Sequence, residues 1–104
     1  MARRKFTPED RRNNELVGQR LRKVLDAYGL KQTDLADALK VSPSTVNEWL
    51  SGKKALDVNW ARAIRDKFDV SLDYLYCDDH SSLRIELARA ILRGEPLKSR
   101  TTRA

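Results

Sequence analysis

The stretch VSPSTVNEWLSGK, Val41 to Lys53, carries short hydrogen-bonding side chains on a segment that reads as a helix with deliberate ends. Ser42 suits the N-cap, Pro43 the first helical position and Gly52 the stop. Val46 and Trp49 mark the face expected to turn inward. Ser44, Thr45, Asn47 and Glu48 then point outward, forming neither a good solvated face nor a core. An ordinary capped core helix does not explain hydrogen-bonding residues at its first exposed turn. They are suited to contact with a polar partner.

Other chemistries find less to work with. Cys77-Asp78-Asp79-His80 holds the single Cys and single His of the chain. One of each is too few soft ligands for a structural zinc. Cys–His hydrolysis would need a third orienting group and a pocket. No Gly-rich phosphate loop occurs. The expectation is therefore a protein that is not an enzyme and needs no metal or cofactor. A lone Cys excludes an internal disulfide, which fits a reducing cytoplasm. No apolar signal core follows Met1 and no run reaches membrane-span length, so a cytoplasmic protein without membrane contact is expected.

The chain of 104 residues is 40% hydrophobic and 35% charged, with a net charge of +6. That is about one domain, with enough apolar material for a small helical core. Sparse aromatics and few β-branched runs favour an all-α fold. The positive balance suits a polyanionic partner, nucleic acid before an anionic membrane.

These residues need helices to position them. MARRKF, residues 1–6, reads as a basic arm. Thr7 and Pro8 start a first helix whose stripe is Leu16, Val17, Leu21, Val24, Leu25 and Tyr28, ending at Gly29. Its first turns, with Arg11, Arg12, Asn13 and Asn14, lack apolar residues and are prone to fray. A second helix runs from about Gln32 to Leu39, with Leu35, Ala36 and Leu39 inward. The third is the opening stretch. Asp57 caps a fourth carrying Trp60, Ala61, Ile64 and Phe68, with both Trp49 and Trp60 expected in the core. Ser71 caps a fifth carrying Leu72, Leu75 and Tyr76. Ser82 is expected to cap a sixth, Leu83 to about Arg93. Arg20, Arg22, Lys23, Arg62, Arg65 and Lys67 read as a solvated face.

Two short helices joined by a tight turn form a helix-turn-helix pattern. Gln32-Thr33-Asp34-Leu35-Ala36, Val41-Ser42-Pro43-Ser44-Thr45-Val46, Trp49-Leu50-Ser51-Gly52-Lys53 and Val70-Ser71-Leu72-Asp73-Tyr74-Leu75 together resemble the lambda-repressor-like (Cro, XRE) helix-turn-helix family. The resemblance covers about residues 16–76. It implies a five-helix DNA-binding domain whose third helix enters the major groove. It also implies base contacts from Ser44, Thr45, Asn47 and Glu48, and phosphate contacts from Lys31, Gln32, Ser42, Ser51, Lys53 and Lys54. Residues 1–15 would be the arm and the start of the first helix, 77–94 a loop and amphipathic helix, and 95–104 a basic flexible tail.

The chain departs from the family in three places. Lys40 and Asp69 stand where glycine is usual and a positive φ is common. Leu25 and Leu50 stand where many members carry a buried ion pair, and replacing both charges together can be neutral or stabilising. The sixth helix has one apolar row at Leu83, Leu87 and Ile91 and another at Ile85, Ala88 and Leu92. With the core expected to be complete by Leu75, these rows predict dimerisation through Leu83, Leu87 and Ile91. The alternative is that the helix folds back onto the core.

The function expected is a transcriptional regulator of the compact repressor type, a homodimer on double-stranded DNA. The alternative is an antitoxin or adaptor that chiefly grips a protein partner and binds DNA for autoregulation.

Overall fold

The computed structural model describes residues 7–94 and 96–97, so the expected arm at 1–6 and most of the expected tail lie outside the described residues. The described helices are α1 (Pro8–Tyr28), α2 (Gln32–Leu39), α3 (Pro43–Ser51), α4 (Val58–Phe68), α5 (Leu72–Cys77) and α6 (Ile85–Arg93), with a 3-10 turn at His80–Ser82. The fold is all-α among these residues. None of the helices is long and apolar enough to cross a membrane.

Local chemistry explains where each helix begins. The Thr7 hydroxyl accepts the Asp10 N–H at 3.1 Å, and the Asp10 carboxylate accepts the Thr7 N–H at 3.0 Å. This reciprocal cap satisfies two donors that helix starts leave open. Arg11 pairs with Glu15 one turn on, at 3.2 Å. The turns that lack an apolar stripe are therefore helical from Pro8. Ser42, Asp57 and Ser71 cap α3, α4 and α5 through the N–H groups of Thr45, Trp60 and Tyr74.

The helix ends follow the same logic. Lys40 adopts φ 59° and Asp69 φ 56°, the left-handed conformation expected of both. After Lys40, the Val41 N–H donates to Ala36 O at 3.0 Å, which closes the end of α2 and aims the chain into α3.

The core is built on α1, against which α3, α5 and α6 pack. Leu21, Val24, Leu25, Leu35, Val46, Ile64, Val70, Tyr74, Leu75 and Leu87 are fully enclosed. Leu25 lies in this core and Leu50 packs half-buried against it, so apolar packing occupies the position of the family's ion pair. Trp49 is buried and Trp60 half-buried, with ring centres 5.8 Å apart.

Five expectations are corrected by packing between elements. Tyr74, not Tyr76, lies in the core. Tyr76 is exposed, and its hydroxyl donates to Leu56 O at 2.7 Å. Ser82 belongs to the 3-10 turn and does not cap α6, which starts after Arg84. Leu83, Leu87 and Ile91 are buried within the chain's own core, so they are not an open dimer face. The core is not complete at Leu75, because α6 covers α1 and the Leu97 N–H then donates to Ala27 O at 2.7 Å. Burying each large apolar side chain is worth about 1.5–3 kcal/mol, which favours this return. Arg20 is the fifth: it is not solvated but donates to Leu75 O at 3.1 Å and lies 3.7 Å from Asp78.

Tyr74 carries a polar atom into this core. Among the described residues its hydroxyl has no hydrogen-bond partner. Burial, with a smaller push from Asp78 against a pull from Arg20, raises its pKa to about 12.

Candidate nucleic-acid interface

The turn between α2 and α3 brings the N-terminal ends of both helices together. Gln32, the first residue of α2, donates its side-chain amide to Pro43 O at 3.3 Å. An amide nitrogen has two hydrogens, so a second donor remains for an outside acceptor. Lys31 precedes it, exposed, with its backbone N–H held by Asp34 at 2.8 Å.

The expected base-contacting residues divide into two kinds. Ser44 and Asn47 are exposed, and among the described residues their side chains make no hydrogen bond. Thr45 is half-buried, with its hydroxyl 3.0 Å from that of Ser42. Glu48 is half-buried as well, and its carboxylate lies 3.6 Å from the Lys54 ammonium. The pair is an exposed one by its lysine, and such pairs contribute at most about 1 kcal/mol.

The residues expected at phosphates divide likewise. Ser42 and Ser51 are engaged in shaping α3. The Ser51 hydroxyl donates to Glu48 O and accepts the Lys53 N–H, both at 3.3 Å. The Lys54 N–H also returns to Glu48 O, at 3.2 Å. This closed turn holds Lys53 and Lys54 at the end of the helix, where the Lys53 side chain is exposed and makes no ion pair among the described residues.

Sequence reasoning missed what fixes α3 from behind. A Cβ at Gly18 would lie 2.5 Å from both Trp49 O and Leu50 O. Only a glycine lets α1 run this close to the carbonyl end of α3. At Gly52, φ is 83° and a Cβ would lie 2.8 Å from the Glu15 backbone. The available signal was a glycine inside a helix, which costs about 1 kcal/mol and usually has a packing reason. Beside this contact, a cleft of about 320 Å³ is lined by Asn13, Asn14, Arg20, Ala55, Leu56 and Tyr76, among others. The first turns of α1 thus run beside the turn that carries Lys53 and Lys54.

The resulting surface is two helix N-termini, two unbonded polar side chains on α3, and cations on either side. Helix N-termini and lysines attract phosphate, while short side chains on an exposed helix can reach base edges.

Residues 21–75 match a family described as helix-turn-helix. Over 59 residues the chain is 46% identical to a repressor protein CI of Enterobacteria phage phi80. That alignment takes in 57% of this chain and 25% of the phage protein. The chain thus spans about a quarter of the length of that relative. No solved structure gives a significant match.

Proposed function

Because the chain belongs to the lambda-repressor-like helix-turn-helix family, we propose that it is a sequence-specific DNA-binding transcriptional regulator, a dimeric repressor that reads the major groove with α3. The observation that carries this reading is the pair Ser44 and Asn47, exposed and unbonded on a helix whose place is fixed by Gln32, Gly18 and Gly52. Base reading needs such groups on a rigid element, since phosphate contacts alone carry no sequence information.

In this mechanism Lys31 and the free N–H of Gln32 meet phosphate on one side of the groove. Lys53 meets it on the other, and the N-terminal turn of α2 adds its dipole. Ser44 and Asn47 address base edges directly. Thr45 contributes mainly through its methyl group, because its hydroxyl is held by Ser42. Glu48 accepts a hydrogen bond from a cytosine amino group once Lys54 turns to a phosphate. Two copies would read half-sites about one helical turn apart and exclude polymerase from the bound promoter.

Selection of bound duplexes from a random pool tests the reading. A two-fold symmetric consensus is expected. Recovery of sequences with no shared motif, at an affinity equal to that for random duplex, would rule out sequence-specific reading.

A further inference from the structure

Between α3 and α4 the chain leaves the helices from Gly52 to Asp57, and this loop carries Lys53 and Lys54. Each end of the loop is held by its own helix. On the α3 side, the Lys53 and Lys54 N–H groups return to Ser51 Oγ and Glu48 O. On the α4 side, the Asp57 carboxylate accepts the Trp60 N–H. Ala55 and Leu56 lie between. Leu56 turns its side chain into the core, while its carbonyl accepts the Tyr76 hydroxyl at 2.7 Å. Tyr76 stands on α5, 20 residues further along. Among the described residues, no other hydrogen bond reaches this loop from outside α3 and α4.

Filling the core does not explain Tyr76. It is 37% exposed, and Tyr74 enters the core from the same helix. The Tyr76 ring stands with Ala55 and Leu56 in the wall of the cleft beside α1, and its hydroxyl is spent on the loop. The helix that carries it is itself fixed. Arg20 of α1 donates to Leu75 O, the carbonyl next to Tyr76, at 3.1 Å. A continuous path therefore runs from α1 through Arg20, Leu75 and Tyr76 to Leu56 and the two lysines. The same α1 meets the end of α3 at Gly18. One helix thus references both α3 and the loop that follows it.

We propose that Tyr76 is a positioning residue for DNA binding: its phenol ties the α3–α4 loop to α5 and so holds Lys53 and Lys54 where they meet phosphate. The inference deepens the proposed function and rests on that reading. Tyr76 itself touches no DNA in this scheme. A lysine on a slack loop can still reach a phosphate, but the loop must then be ordered at the moment of binding, and that entropy is subtracted from affinity. A loop fixed beforehand avoids the loss. Base reading by α3 is untouched, because α3 is held separately by Gln32 and Gly18.

The test is Tyr76→Phe in the whole chain, which keeps the ring and removes the hydroxyl. Under conditions where the variant is fully folded, mobility shifts should show affinity falling about three- to tenfold on the selected duplex and on random duplex alike. Base preference should not change. Because Tyr76 works through the lysines, the loss should vanish when the substitution is made together with Lys53→Ala and Lys54→Ala. Combined with Ser44→Ala alone, it should persist in full. Nitrogen-15 relaxation of the free protein should show the amides from Lys53 to Leu56 gaining mobility while those of α3 do not. A Tyr76→Phe protein whose loop stays as ordered as the wild type, or whose affinity is unchanged, overturns the proposal. So does a loss that remains undiminished without the two lysines, since it would mark a direct contact or a general weakening of the fold. Absence of all duplex binding by the wild type would instead remove the DNA reading, and unchanged relaxation would remove the tether independently of it.

Discussion

Glu48 is the residue whose setting most changes its meaning. A carboxylate near phosphates would oppose binding, and in the free protein the Lys54 ammonium at 3.6 Å offsets part of its charge. Exposed pairs are weak, so Lys54 is free to exchange partners at little cost. If Glu48 reads a base, Glu48→Gln should alter preference at a single position by about 1–3 kcal/mol while random-sequence binding holds or rises. Ser44→Ala should relax preference at a neighbouring position by a similar amount. Quantitative mobility shifts on a set of single-position operator variants would check both; equal losses on every duplex would remove these residues from the reading. Lys53→Ala should behave differently. It should weaken binding to all sequences alike and lower the slope of log affinity against log salt by about one.

At the scale of elements, α1 and α3 are held by absence of side-chain volume. Gly18→Ala would place a methyl group 2.5 Å from two carbonyl oxygens, and neither belongs to a flexible side chain. Overpacking of this kind costs about 1–3 kcal/mol, more than the gain in helix propensity returns. A lower midpoint in urea, with reduced DNA affinity in the folded fraction, is expected. A variant as stable as the wild type would show that α3 can move away. The helix starts were legible in the chain because Thr7, Ser42, Asp57 and Ser71 act on N–H groups three residues away. The left-handed ends at Lys40 and Asp69 were legible through resemblance to the family, which usually has glycine at both positions. Gly18 was not, because its neighbour is more than thirty positions distant. Both apolar rows of α6 could be seen, yet periodicity cannot say which row meets α1. Tyr74 and Tyr76 posed the same problem on a helix too short for a stripe to form. Of the site, the residue types and order were readable, while the engagement of Ser42, Ser51 and Thr45 in shaping α3 was visible only in the folded chain.

At the scale of the whole molecule, the buried tyrosine links folding to alkaline pH. Burial raises Tyr74 to about 12, and the partial burial of Tyr28 and, less completely, of Tyr76 raises them as well. These groups keep their protons in the folded state at a pH where the unfolded chain begins to lose them. Their contribution to stability is full below the ordinary tyrosine value near 10 and is lost as pH rises towards 12. Tyr74→Phe should therefore flatten the fall in stability across that window. At neutral pH it should be neutral or stabilising by about 1 kcal/mol, since it removes a buried hydroxyl with no partner among the described residues. Denaturation followed by far-ultraviolet dichroism at several pH values measures both effects.

The contact between Glu48 and Lys54 has a consequence for how such a protein would find its operator. Under the proposed reading, the two charges would offset one another on random sequence, and the reading helix would pass phosphates with little net charge at its centre. At the right sequence the pair would open, with Glu48 taking a base contact and Lys54 a backbone contact. Scanning and commitment would then be two states of a single side-chain pair.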